Sequence, residues 1–210
     1  VPFEKMKQYI RDAYQRGGII TISWHSNNPI TGGNAWDFSN KSIKSIFPGG
    51  ENHQTYVDYL DKIADFLADL KGENGEAIPI IWRPFHEHTG TWFWWGVNSA
   101  SDDEYKELFK FSADYLRINK GLHNLILGYN TSVEYSTVEE FLKRYPGDEY
   151  VDMVSFDAYQ RGGIEGGENF TKQLDQLIRV MNEAANQRNK ISAIGELGYN
   201  QIPDSQWFTK

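Results

Sequence analysis

Apolar positions recur along the chain with two alternating periods. Phe3, Met6, Ile10, Ala13 and Tyr14 fall at helical spacing after Pro2, and Gly17-Gly18 closes the stretch. Ile19 to Trp24 is a short β-rich run ending at His25, followed by a polar loop with Asn27-Asn28-Pro29 and Gly32-Gly33. Tyr56, Tyr59, Leu60, Ile63, Phe66, Leu67 and Leu70 mark a second helix, stopped at Gly72, and Ile78 to Trp82 is a second apolar run. Ser101-Asp-Asp-Glu104 is a capping box that predicts a helix through Leu108, Phe109, Ser112 and Leu116 to Gly121. Leu125 to Tyr129 predicts a third strand, Thr137 to Tyr145 a short helix before Pro146, and Val151 to Phe156 a fourth strand. Phe170 to Arg188 follows as a helix with Leu174, Leu177, Ile178, Met181 and Ala185 inward, and Ile191 to Ile194 as a fifth strand.

Helices alternating with short apolar strands predict an α/β fold, a parallel sheet with helices outside. The polar signals stand after the strands: His25, Glu87, Asn130, Tyr159 and Glu196. A (β/α)8 TIM barrel carries its chemistry at the C-terminal ends of its strands. A doubly wound sheet does so at a switch point, usually with a glycine-rich phosphate loop. No G-x-G-x-x-G or G-x-x-x-x-G-K-[ST] occurs, and the glycines at 162, 163, 166 and 167 read as a flexible loop. The expectation is one catalytic domain over residues 1–210. A complete barrel takes about 250 residues, so this domain is expected to be incomplete at both ends.

Composition adds to this picture. The aromatic share of 15% points to an aromatic-lined surface, and the net charge of −8 argues against nucleic acid, for which no basic patch is found. No apolar run approaches about 18 residues, so no membrane insertion is expected. With no cysteine, neither a disulfide scaffold nor a thiolate metal site is available. The chain starts at Val1 without a signal peptide, and is expected to be processed or part of something longer.

The densest chemistry lies in one stretch. The run from Ile78 to Trp82 leads into Arg83, His86, Glu87 and His88, then four consecutive aromatics, Trp92 to Trp95, closed by Gly96. A strand that ends in a carboxyl group and then in indoles suits a sugar ring, whose C–H face stacks on an aromatic while its hydroxyls take hydrogen bonds. A buried Glu87 must be paired, protonated or functional, and Arg83 is its obvious local partner. Because His86 and Glu87 are adjacent, the strand must bulge or end there for both to face one site. His86 and His88 share a strand face, but without H-E-x-x-H or a third ligand at the right spacing no metal is expected. No cofactor is expected either.

Glu87 and Glu196 thus end two different strands on one face. Glycoside hydrolysis needs two such carboxyls, one to protonate the leaving oxygen and one to attack the anomeric carbon or activate water. Their opposite protonation at one pH can come from different surroundings and mutual repulsion.

Four segments carry a resemblance. Arg83-Pro-Phe-His-Glu-His-Thr-Gly-Thr-Trp-Phe-Trp-Trp-Gly96 resembles the acid/base motif of glycoside hydrolase family 26, best known for endo-β-1,4-mannanases. Trp24-His25-Ser-Asn-Asn28-Pro29, Ser155-Phe-Asp157-Ala-Tyr159-Gln160 and Ile194-Gly-Glu196-Leu-Gly198 resemble its earlier strand-end motif, its tyrosine-bearing strand and its nucleophile segment, in the family's order. The resemblance implies that the five strands are about the third to the seventh of a (β/α)8 barrel. It implies a retaining mechanism, with Glu87 as general acid/base and Glu196 as nucleophile. His86 and Tyr159 would hydrogen-bond around Glu196, and His25, Trp92 and Trp95 would line sugar subsites. His88 departs from the family pattern and is given at most a subsite role.

The reading that follows is a monomeric enzyme cleaving β-1,4-mannosidic bonds in a β-mannan polysaccharide or oligosaccharide. Its polymeric substrate suggests a secreted, periplasmic or cell-surface location. Alternatives are a lichenase or β-1,3-xylanase of the same family, a non-catalytic carbohydrate-binding barrel, and a metal-dependent barrel hydrolase, which the ligand spacing disfavours.

Overall fold

The computed structural model describes residues 2–209 of the 210-residue chain. Its five strands are β1 (Ile20–Trp24), β2 (Ile80–Pro84), β3 (Leu125–Thr131), β4 (Met153–Gln160) and β5 (Ile191–Tyr199). They form one sheet in the order β1-β2-β3-β4-β5, and every neighbouring pair is parallel. Each new strand is added beside the last, without the reversal that defines a doubly wound sheet. The sheet is therefore an arc of a (β/α)8 barrel. Among the described residues the outer edges of β1 and β5 have no strand partner.

Helices α1 (Phe3–Gln15), α2 (His53–Ala68), α3 (Asp102–Asp114), α4 (Val138–Phe141) and α5 (Gly167–Arg188) alternate with the strands. The inward stripes of α2 and α3 carry much of the core: Tyr56, Leu60, Phe66 and Leu67 from one, Tyr105, Leu108 and Phe109 from the other, all buried. Each such side chain contributes about 1.5–3 kcal/mol relative to leaving it in water. Tyr56 and Ser112 share a buried hydrogen bond of 2.6 Å between the two helices. The capping box at Ser101 and Glu104 is formed, so α3 starts where its sequence says. Helix α1 buries no residue completely.

Strand limits differ from the apolar runs in a consistent direction. β2 starts at Ile80, just after Pro79, and runs on to Pro84. β3, β4 and β5 continue past their apolar runs to Thr131, Gln160 and Tyr199. Ladder pairing does not depend on apolarity, so the polar residues Asn130, Asp157, Tyr159 and Glu196 lie within strands rather than after them. The helix expected over Thr137–Tyr145 shortens to α4. Pro146 disfavours helical geometry at Tyr145, and the Phe141 carbonyl accepts the Tyr129 hydroxyl at 2.7 Å.

Candidate active site

β2 positions the first carboxyl by ending abruptly. After Pro84 the backbone turns through two left-handed residues, Phe85 and Glu87, each at φ 52°. This region is uncommon for residues with a Cβ, and holding two of them there requires tight surroundings. The turn removes the strict alternation of a strand, so His86 and Glu87 both face one cavity. Phe85 meanwhile is fully buried between Trp94 and Trp95, with ring centroids 6.1 and 5.9 Å away.

The four aromatics that follow do not share one role. Trp92 lines the cavity and donates its indole N–H to Glu87 Oε2 at 2.8 Å. Gly90 makes room for it, since a Cβ there would stand 2.4 Å from the Trp92 ring. Phe93 also lines the cavity. Trp94 and Trp95 point away and are completely buried, donating to the carbonyls of Ser26 (3.1 Å) and His86 (2.9 Å). Trp95, expected to line a sugar subsite, is not on the cavity wall; it backs Phe93 as a stacked ring at 4.4 Å and 17°. His88 is corrected likewise: it is fully buried against Tyr105 (4.2 Å) and Tyr129 (4.7 Å), outside the cavity wall.

Glu196 is placed by an irregularity in β5. Phe156 pairs with Ile194 but Asp157 pairs with Glu196, so Gly195 is an extra residue in the ladder. A Cβ at Gly195 would meet Asn130 Oδ1 at 2.3 Å, Asp157 Oδ1 at 2.5 Å and Arg83 Nη1 at 2.8 Å. Those three groups are a buried network. Arg83 Nη1 donates to Asn130 Oδ1 and Asp157 Oδ1, both at 3.1 Å, and Nη2 donates to Glu196 Oε1 at 2.9 Å. Arg83 was expected to pair with Glu87; the alternation of β2 instead turns it towards β4 and β5. Tyr159 donates its hydroxyl to the other oxygen of Glu196 at 2.5 Å.

The surroundings shift the two carboxyls in opposite directions. Burial raises the Glu87 carboxyl above its usual range, against the stabilising Trp92 N–H, and Glu196 and Glu134 push it further up. Burial would raise Glu196 as well, but the hydrogen bonds from Tyr159 and Arg83 and the guanidinium charge outweigh it and hold Glu196 below its usual range. Asp157, almost wholly buried, is pushed up to about 7 by burial, with Arg83 opposing. Burial and the neighbouring His25 lower His86 to about 3, so its imidazole is neutral at pH 7. His86 was expected to hydrogen-bond around Glu196; Arg83 and Tyr159 make those bonds, and His86 brings a ring nitrogen within 4.8 Å.

His25, at the end of β1, lines the same cavity of about 640 Å³ and stacks on Trp36 at 5.2 Å and 23°. Trp36, more than half exposed, is an indole at the cavity wall that the sequence pattern did not single out. Asp157 was also missed as a member of the network. Its signal was available: Ser155, Asp157 and Tyr159 fall on one face of a strand. His86, Asp157 and Glu196 bring ligand atoms within 4.8 Å of one another, a spacing that could hold a cation. Arg83 donates to both carboxylates there, so its guanidinium already supplies the positive charge.

Similarity to known proteins follows the same geometry. A mannan endo-1,4-beta-mannosidase of Bifidobacterium adolescentis is 36% identical over 197 residues, 92% of this chain and 19% of that protein. Another, from Thermothelomyces thermophilus, is 30% identical over 201 residues, 90% of this chain and 37% of that one. The solved structure of a GH26 beta-mannanase from Bacteroides ovatus superposes with a TM-score of 0.94 at 42% identity, covering all of this chain and 60% of that one. The chain thus spans less than two thirds of each of these proteins. Residues 4–208, which carry both carboxyls and the network between them, match the profile of glycosyl hydrolase family 26, and the chain belongs to that family.

Proposed function

We propose that the protein is a retaining, endo-acting glycoside hydrolase that cleaves β-1,4-mannosidic bonds in mannan, glucomannan or galactomannan. One observation carries this reading: two carboxyls face one cavity, Glu87 raised towards its neutral form and Glu196 held ionised by Arg83 and Tyr159. Both retaining and inverting glycoside hydrolysis need that difference, and the double displacement is what the resemblance to the family implies.

In the first step Glu87 gives its proton to the glycosidic oxygen. A Glu196 oxygen attacks the anomeric carbon as the bond to the leaving sugar breaks, forming a glycosyl ester. In the second step ionised Glu87 takes a proton from water, whose oxygen attacks the same carbon and releases Glu196. The Tyr159 hydroxyl and the Arg83 guanidinium keep Glu196 ionised and fix its two oxygens, so little reorganisation is needed at the moment of attack. Trp92 and Trp36 offer flat apolar faces to sugar rings, with Phe93 packed behind them and His25 a polar edge between them.

The relatives named above are mannan endo-1,4-beta-mannosidases, which supports the substrate class. A lichenase or β-1,3-xylanase would need the same pair of carboxyls. Release of reducing ends from mannan, lichenan and β-1,3-xylan, with and without a chelator, distinguishes these. The account predicts release from mannan, unaffected by the chelator. Binding without hydrolysis would favour a decayed barrel, and loss of activity on chelation a metal-dependent one.

A further inference from the structure

Arg144 lies three residues past the end of α4, outside the cavity, and is almost completely buried. Burying a guanidinium costs several kcal/mol unless its donors are satisfied, roughly, so its partners are informative. Four of them are backbone carbonyls of a single loop. Nη1 donates to His88 O and to Trp95 O (3.2 Å), and Nη2 to Ala100 O (3.0 Å) and Ser101 O (3.2 Å). Nε lies 3.4 Å from Asp102 Oδ1, in the first turn of α3, and the guanidinium stacks 4.4 Å from the centre of the Tyr105 ring.

These carbonyls bracket the loop that joins β2 to α3. The first follows Glu87 directly, the second belongs to the aromatic run, and the last two lead into the capping box. The loop contains no helix or strand to hold it. A planar fork with five N–H donors is suited to tying such a loop at both ends; an ammonium is not. Glu196 is held by a separate set of groups, Arg83 and Tyr159, on the strands of the sheet.

We infer that Arg144 is a positioning residue for the acid/base: it locks the loop from His88 to Ser101 so that Glu87 and Trp92 keep their place over the leaving group. The inference rests on the reading of Glu87 as acid/base, and it separates the two halves of the site. Disturbing Arg144 impairs protonation of the leaving oxygen and leaves attack by Glu196 largely intact.

The test uses Arg144→Met and Arg144→Lys in the full-length enzyme, with Glu87→Gln measured alongside. Hydrolysis of mannan needs the leaving group protonated, whereas a dinitrophenyl mannoside does not. For Arg144→Met the expected loss of kcat/KM is about 100-fold on mannan, the scale of a misplacement of about 1 Å. On the aryl mannoside it stays within a few-fold. Arg144→Lys recovers only part of the loss, because one ammonium cannot reach four carbonyls, and it serves as the test if the Met variant does not fold. Equal losses on both substrates, or no loss, while Glu87→Gln remains selective for mannan would overturn the inference and leave the acid/base reading standing. If Glu87→Gln itself loses both activities equally, the acid/base reading fails and this inference fails with it.

Discussion

The indole N–H of Trp92 ends on the carboxyl of Glu87, 2.8 Å away and five residues earlier in the same loop. The bond favours the ionised form of a group that burial pushes the other way. Trp92 therefore lines the cavity and also acts as a brake on the rise of the Glu87 pKa. In Trp92→Phe the ring remains and the donor is lost. Glu87 should then hold its proton to higher pH, and the alkaline limb of kcat/KM on mannan should move up. A limb that stays in place, or moves down, would show that the bond does not tune the acid.

Arg83 ties the two sides of the site together through Asp157 and Glu196. Its removal in Arg83→Met leaves one fully buried and one partly buried carboxylate without their cation, and removing one partner of a buried pair costs about 3–5 kcal/mol. The pH dependence follows from the signs. The folded-state pKa of Asp157 is already raised to about 7, so its contribution to stability is full below the ordinary carboxylate range and is lost as pH rises towards 7. Without Arg83 Asp157 rises further, and Glu196 loses part of what holds it below its usual range. The variant should be least destabilised at low pH and increasingly so towards neutrality, and the acid limb of kcat/KM, which reports ionised Glu196, should move up. Denaturant unfolding from pH 4 to pH 8 together with pH–rate profiles checks this; a pH-independent loss would contradict it.

Gly195 is required by space rather than by backbone angle. Gly195→Ala would drive a methyl group into Asn130, Asp157 and Arg83, the groups that orient Glu196. Overpacking of this kind costs about 1–3 kcal/mol. The account predicts that loss in stability and, beyond it, a fall in kcat on mannan and on an activated aryl mannoside alike, because the nucleophile is displaced. Thermal unfolding and kinetics at a temperature where the variant is folded provide the check. Full activity in a folded variant would mean that the network does not align Glu196.

Much of this was legible in the sequence. Alternating periods gave the five strands and the helices between them, and Glu87 and Glu196 stood out as carboxyls at the ends of apolar runs. The limits of the strands were less legible, because the inner face of the sheet turns polar around Asn130, Asp157 and Glu196 while the ladder continues. The partner of Arg83 was hidden for a different reason. Proximity in sequence pointed to Glu87, but the left-handed turn at Phe85 and Glu87 faces that carboxyl elsewhere, and the real partners lie 74 and 113 residues away. Composition could not separate Trp92 from Trp95: which of four consecutive aromatics faces the cavity depends on the turn at Gly90 and on the buried acceptors at Ser26 and His86.

The central claim is that Glu196 forms a covalent bond to the sugar while Glu87 handles the proton. It is tested most directly by incubating the enzyme with an activated 2-deoxy-2-fluoro-β-mannosyl probe and mapping the modified peptide by mass spectrometry. The account predicts one added fluorosugar, on Glu196, and a first-formed product from the natural substrate that keeps the β configuration by NMR. A label on another residue, or a first product of inverted configuration, would contradict it.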